Sequence, residues 1–348
     1  MNNSASETNT DKPLLFDHEG IAFPFVIDRA EEIISQTVEG TGGWEVNQLS
    51  LYKDIIGEAG VFVDVGANVG INSIYAHLIR PGARVIAVEP EPANFDRLRR
   101  NCAPYSIEVH NLAIADHGGS IGFAGSGTNA HIASDGEQRV PCDTLDHFTE
   151  AQDVGSIDLI KIDVEGYTDI VLSNASATLS RSKVAIVEFS YGDIISRLRA
   201  LDLPESMARQ HSKELFDLIT PHFPFIHYIS KADGLIRLDK VDDLFDVMFS
   251  EAVVGDVLAS REEMPCISPI AFAFRNILEL KRQNHIRLLQ IEELQTRAAS
   301  TGVAPVEVAP TEITPTEIAP TESAPIEVAP IEVASTEGDV VDPENSPS

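Results

Sequence analysis

In a chain of 348 residues, 55 acidic against 25 basic side chains leave a formal charge of −30 at pH 7. That balance repels phosphate backbones and argues against nucleic-acid binding, which calls for basic surfaces. The 43% of apolar residues suffices for a substantial core, but no window approaches the ~20 apolar residues of a membrane span, and Cys102, Cys142 and Cys266 are too few and too scattered for a disulfide framework or a metal cluster. A soluble, cytoplasmic protein with reduced thiols is expected, since MNNSASETNTDK has neither the basic start nor the apolar stretch of a signal peptide.

In chain order, residues 1–15 read as a polar, disordered N-terminus and residues 16–275 as one catalytic-sized domain. Short helical and extended patterns punctuated by GTGGW (40–44) lead to an alternation of apolar runs and amphipathic stretches. VFVDV (61–65), RVIAVE (84–89), SIEVHNLAI (106–114), LIKID (159–163) and VAIVEF (184–189) read as strands with helical patterns between them. Such alternation predicts a parallel sheet covered by helices on both faces. GSIGF (119–123) and QRVPC (138–142) read as an inserted hairpin or loop. FIHYIS-KADG-LIRL (225–238) breaks the rhythm and predicts an antiparallel hairpin.

Residues 276–299 form a charged amphipathic helix with an apolar stripe at Ile277, Leu280, Leu288 and Ile291. The stripe suits either a packing helix or a short coiled-coil seam through which two copies could form a homodimer. Residues 300–348 carry pentads such as APTEI and APIEV, and proline at every fifth position forbids helix and sheet. This acidic tail is expected to be disordered, as a spacer or a docking segment.

The first strand poses the central question, because it holds an acid, Asp64, and opens at once into Gly66, Asn68 and Gly70. In open parallel sheets the ligand sits beyond the carboxyl ends of the strands, where small residues let the chain turn tightly and the ligand approach. A dinucleotide would set its pyrophosphate on this turn, against the charge of Asp64. A cofactor bearing positive charge and no phosphate fits better, and S-adenosylmethionine offers a sulfonium and an ammonium. Glu89 ends the next strand, 25 residues on, where a carboxylate can hold a ribose diol.

VDVGANVG, VEPEPANFDRLRRN, NLAIAD and above all DLIKIDVEG, with TLD (144–146) upstream, resemble the FkbM-type methyltransferases. The resemblance spans roughly residues 44–250. It implies a Rossmann-like class I methyltransferase fold of seven strands in the order 3-2-1-4-5-7-6, the 225–238 hairpin supplying the last two. It also implies transfer of a methyl group to a hydroxyl of a carbohydrate or secondary metabolite. It carries Asp64, Gly66, Asn68, Gly70 and Glu89 over as contacts of S-adenosylmethionine.

Period-two alternation puts Lys161, Asp163 and Glu165 on one side of the fourth strand. Charges there are costly unless paired, so a structural ion-pair cluster with Glu188 is one reading. The other is that Asp163 and Glu165 are catalytic, orienting or deprotonating the methyl-accepting hydroxyl. His131, in the loop after the third strand, is a further base candidate or a plain surface histidine. Glu45, beside Trp44, is a candidate for the cofactor's ammonium. No metal is assigned, although Asp163 and Glu188 end adjacent strands. The partner is expected to be a small molecule or glycan. Two other functions stay in view: a non-catalytic binding or scaffold module that keeps the fold, and an NAD-dependent oxidoreductase.

Overall fold

A computed structural model describes residues 11–28, 32–124, 131–132, 138–230, 234–238 and 255–266. The amphipathic helix 276–299 and the repeat tail lie outside the described residues.

The chain opens with a hairpin, β1 (Asp11–His18) and β2 (Ile21–Asp28), turned at Glu19 and Gly20 with φ of 51° and 79°. Positive φ at both turn residues matches the twist of the flanking strands. The expected disordered N-terminus therefore ends at residue 10 at the latest. Sequence patterning missed the hairpin because both its strands alternate irregularly and a proline sits in each. Its inner face carries Phe16, Phe23, Phe25 and Ile27, all buried, with the Phe16 and Phe23 rings stacked 4.7 Å apart.

Helices α1 (Glu32–Thr41) and α2 (Val46–Ile55) follow. The alternating unit then begins, with β3 (Val61–Val65), α3 (Ile71–Ile79), β4 (Arg84–Val88), α4 (Pro92–Cys102) and β5 (Ile107–His110). Glu91 caps α4 by accepting from the Asn94 amide, and Pro92 opens the helix where a missing N–H costs nothing. The strand expected over 106–114 is split. Its end, β6 (Ala113–Ile114), joins β7 (Gly119–Ala124), β8 (His131–Ile132) and β9 (Gln138–Asp143) in a separate four-stranded sheet of order 6-9-7-8. After α5 (Leu145–Ala151) come β10 (Ile157–Ile162), the short helices α6 (Thr168–Ser173) and α7 (Ser176–Ser180), and β11 (Ser182–Phe189). Then follow α8 (Tyr191–Ala200), α9 (Ala208–Ile219), β12 (Phe225–Ser230), β13 (Gly234–Leu238) and β14 (Gly255–Ser260).

The main sheet has eight strands in the order β13-β12-β14-β11-β10-β3-β4-β5. From β5 through β11 all pairs are parallel, while β14 runs antiparallel to both β11 and β12. Seven of these strands keep the expected 3-2-1-4-5-7-6 order, but not with the expected residues. The 225–238 hairpin exists, yet only β12 belongs to the seven, as the sixth. The wedged seventh strand is β14, and β13 is an eighth at the edge. Gly255 explains part of the miss: an ideal Cβ there would lie 2.0 Å from the Tyr228 ring, so this strand begins on a residue with no side chain.

Alternate residues of the strands feed two cores. Val63, Val65, Ile160, Ile162 and Val187 face α5, α6, α7 and α9 on one side. Phe62, Val85, Leu159, Ile186 and Leu258 face the hairpin and α1 to α4 on the other. Asp64 and Lys161 are paired in the β3–β10 register, two residues on from Phe62 and Leu159. They thus point to that second side, where the apolar layer gives way to the site.

Candidate active site

At the end of β3 the chain turns over a close neighbour. Gly66 has φ of 84°, and a Cβ there would fall 1.7 Å from the Asp163 carbonyl oxygen. Only glycine fits. Asn68 takes the same left-handed region (φ 49°), which asparagine tolerates better than most residues, and its amide donates to Glu89 Oε2 at 2.9 Å. Gly70, with φ of 94°, is the last residue before α3. Its missing Cβ makes room for Leu98 Cδ1 at 2.7 Å and Cys102 Sγ at 3.1 Å. Gly70 serves the packing of α3 against α4 and does not line the cavity above.

That cavity, about 810 Å³, opens over the carboxyl ends of β3, β4 and β10. Gly66, Asn68, Glu89, Asp163 and Glu165 line it, so five of the seven residues expected at the site share one space. Glu89 is 6% exposed and fixed at both oxygens, with Oε2 held by the Asn68 amide and Oε1 by the Glu91 amide at 2.9 Å. Burial pushes its carboxyl up and those two hydrogen bonds offset it only in part, leaving it at about 8. Leu112, Ala113 and Ile114 supply an apolar wall nearby, tied to Glu89 through Asn111, whose Nδ2 donates to the Glu89 carbonyl at 2.9 Å.

Asp64 departs from expectation. It is fully buried and absent from the cavity wall. Ser73 Oγ donates to its Oδ2 at 2.6 Å, and its buried Oδ1 has no hydrogen-bond partner. Burial raises its carboxyl, against the opposing pull of Lys161 and Ser73, to about 6. Its reach toward a ligand is through Lys161, its neighbour across the strands.

Lys161 anchors the other end of the cavity. It is 2% exposed, 2.5 Å from Asp163 and 3.7 Å from Glu45. Burial works against its charge, but Asp163, Glu45, Asp64 and Asp256 together hold its ammonium well above the usual lysine range. Burial also pushes Asp163 up, and here the Lys161 charge and hydrogen bonds from Glu188 and Lys161 win, keeping it below the ordinary carboxylate range. Lys161 and Asp163 are thus an ion pair, as the structural reading of the fourth strand expected, and Asp163 also stands on the cavity wall. Glu165 lies beyond the strand, which ends at Ile162, in an exposed turn with φ of 49°.

Glu45 is placed by a relay from the core. Tyr52 Oη donates to Asn72 Oδ1 at 2.7 Å, and Asn72 Nδ2 donates to Glu45 Oε2 at 2.8 Å. Gln48 Nε2 donates to the same oxygen. Glu45 itself sits at φ of 52°, a strained position for a residue with a Cβ. Residues that the sequence reasoning did not single out also line the cavity: Gln48, Glu91, Tyr167 and Asp256. The start of helix α2, one turn after Trp44-Glu45, was the available hint for Gln48. Asp256 had none, because its strand was not foreseen. The side chain of His131 lies outside the described residues.

The strand order, the wedged antiparallel strand and the glycine turn facing a strand-end glutamate are those of the class I methyltransferase fold. Residues 64–207, less than half of the chain, match the family model described as the Methyltransferase FkbM domain. Among curated relatives, the hexuronic acid methyltransferase AglP of Haloferax volcanii is 28% identical over 194 residues, which is 52% of this chain and 75% of that one. The 2-O-methyltransferase NoeI of Sinorhizobium fredii is 27% identical over 153 residues, covering 37% of this chain and 63% of NoeI. Among solved structures, methyltransferase FkbM from Methylobacillus flagellatus aligns with 61% of this chain and 50% of its own, at 14% identity and a TM-score of 0.36. Among the described residues no helix is long and apolar enough to cross a membrane.

Proposed function

We propose that the protein moves a methyl group from S-adenosylmethionine to a hydroxyl of a carbohydrate or secondary metabolite. The observation that carries this reading is Glu89. Its two oxygens are each oriented by a backbone amide, on a cavity wall at the end of the second strand, where a ribose diol can donate to the lone pairs that remain. Gly66 and Asn68 form the floor beneath such a ligand, and Leu112 to Ile114 offer a flat apolar side for a purine. The donor set suits a phosphate-free cofactor. Lys161, the one basic residue on the described wall, is already engaged by carboxylates, so a pyrophosphate would find no counter-charge. This disfavours the NAD-dependent alternative. The name of NoeI, a 2-O-methyltransferase, supports transfer to oxygen, and that of AglP, a hexuronic acid methyltransferase, supports a sugar-derived acceptor.

When bound, S-adenosylmethionine supplies an electrophilic methyl carbon on a sulfonium. The chain's own residues have two tasks. Glu45, Asp163 and the buried Asp64 set a negative field at the Lys161 end of the cavity, suited to an ammonium and a sulfonium. Asp163 and Glu165 stand where a hydroxyl could be oriented and its proton taken, and Lys161 fixes the Asp163 carboxylate by its short contact. In-line displacement gains most from alignment, which a cavity with rigid strand-end walls provides. A positioned base adds ~10²–10⁴-fold.

Calorimetric titration of the purified protein with S-adenosylmethionine and with NAD tests the reading. Saturable binding of the first alone is expected. Binding of NAD alone, or of neither, would overturn it.

A further inference from the structure

Glu45 stands at the start of α2 with φ of 52°, and its side chain makes no capping bond to that helix. A polar side chain at this place ordinarily caps its own helix, so other contacts must hold the carboxylate. Three donors converge on one of its oxygens, Oε2. Asn72 Nδ2 donates at 2.8 Å, Gln48 Nε2 donates as well, and Lys161 Nζ lies 3.7 Å away. Asn72 is itself oriented, because the buried Tyr52 hydroxyl donates to its Oδ1 at 2.7 Å and leaves the amide nitrogen for Glu45. Glu45 Oε1 has no hydrogen-bond partner among the described residues.

Gln48 sits one turn before Tyr52, on the same face of α2. Its bond to Glu45 fixes the amide's orientation, because a flip would set oxygen against a carboxylate. Gln48 is 1% exposed, and its Oε1 is left buried with no hydrogen-bond partner. Glu45, Gln48 and Asn72 all line the cavity. Two neighbouring acceptors therefore lack a donor, while the donors around them serve Glu45 Oε2. A hydroxyl brings one hydrogen and a sulfonium none, whereas a primary ammonium brings three and accepts nothing. Since a buried acceptor left unmet is costly, an ammonium is the group that fits both oxygens at once.

We infer that Glu45 Oε1 and Gln48 Oε1 hold the α-ammonium of S-adenosylmethionine, and that Tyr52 and Asn72 are positioning residues that aim the Glu45 carboxylate at it. The inference rests on the methyltransferase reading above and adds which residues recognise the cofactor's amino group and what sets them in place.

Calorimetry on the full-length protein compares S-adenosylhomocysteine with its deaminated analogue, in which hydrogen replaces the amino group and the carboxylate stays. The analogue is expected to bind about tenfold to a hundredfold more weakly, the loss of hydrogen bonds from a charged group. Tyr52→Phe, which keeps the buried ring, should narrow that gap about threefold by weakening S-adenosylhomocysteine alone. Gln48→Leu should narrow it in the same way. Variants that weaken both ligands alike would overturn the positioning role and leave these residues a structural one. Equal affinity of the two ligands for the wild-type protein, a comparison that requires no variant to fold, overturns the inference as a whole. That is also the result expected if the two oxygens served an amine of the methyl acceptor. Failure of S-adenosylhomocysteine to bind at all undoes the methyltransferase reading itself, whereas equal binding of both ligands undoes only the inference about the amino group.

Discussion

Two charge clusters in this protein are built on opposite plans. At the hairpin, Arg97 and Arg100 of α4 meet Asp11 and Asp28 at 2.6–2.9 Å, and Arg99 and Arg100 meet Asp96 at 2.8 and 3.1 Å, three cations for three anions. That cluster ties β1 and β2 to α4, and its stoichiometry closes. At the cavity, Glu45, Asp64, Asp163 and Asp256 all act on the one Lys161, four acids on a single base of the described wall. A balanced cluster needs nothing from outside, whereas an unbalanced one in a cavity is held strained by the surrounding fold and is set for a cationic ligand. The difference separates structural charge from functional charge more clearly than burial does, since Arg97 and Lys161 are both buried.

Substitutions can break that contrast. Lys161→Met has the largest expected effect. It leaves the surrounding carboxylates without their cation and should cost about 3–5 kcal/mol of stability, read as a lowered urea midpoint. An unchanged midpoint would mean the carboxylates can take up protons or water at little cost. Asp163→Asn comes next, with a fall in turnover of ~10²–10⁴-fold and S-adenosylmethionine affinity kept within about threefold. Equal losses in both would move Asp163 from the methyl acceptor to the cofactor.

The pH dependence sharpens the comparison in the cofactor-free protein. Asp64 sits at about 6 and Glu89 at about 8, both raised from their ordinary values of 3.8 and 4.5. The folded state therefore binds more protons than the unfolded one between those limits, and stability falls as pH climbs from about 4 to about 8. Above pH 6 mainly Glu89 contributes, so the wild-type protein should lose about 2 kcal/mol between pH 6 and pH 8. Glu89→Gln should flatten that segment of the denaturation profile, and an unaltered slope would assign it to other groups.

Arg97→Ala should cost about 1–3 kcal/mol, less than Lys161→Met because Asp11 and Asp28 keep partial access to water, and kcat should not change. A loss of turnover without a loss of stability would erase the distinction between the clusters. Asp96→Ala, which removes the exposed pairs with Arg99 and Arg100, should shift stability by less than about 1 kcal/mol.

The parallel half of the sheet was legible because each of its strands is a short apolar run followed by a helical pattern, and burial on both faces leaves little freedom in composition. VFVDVGANVG announced a ligand turn for a steric reason: Gly66 lies against the Asp163 backbone, and nothing larger fits. Strand β14 was not legible. GDVLAS has no flanking helical pattern, and its place between β11 and β12 depends on partners at least 66 and 29 positions away in the chain.

The sequence by itself determined the acid-rich composition, the succession of strands and helices along the parallel half, the glycine turn and the strand-end Glu89, because these follow from local sterics, periodicity and charge. Only the tertiary structure decided which acids face the cavity. It withdrew Asp64 and Gly70 beneath the wall and brought in Gln48, from α2, and Asp256, from β14. Spacing along a chain fixes which side of an element a residue takes, but whether that side meets a ligand or another element depends on packing between segments far apart in sequence.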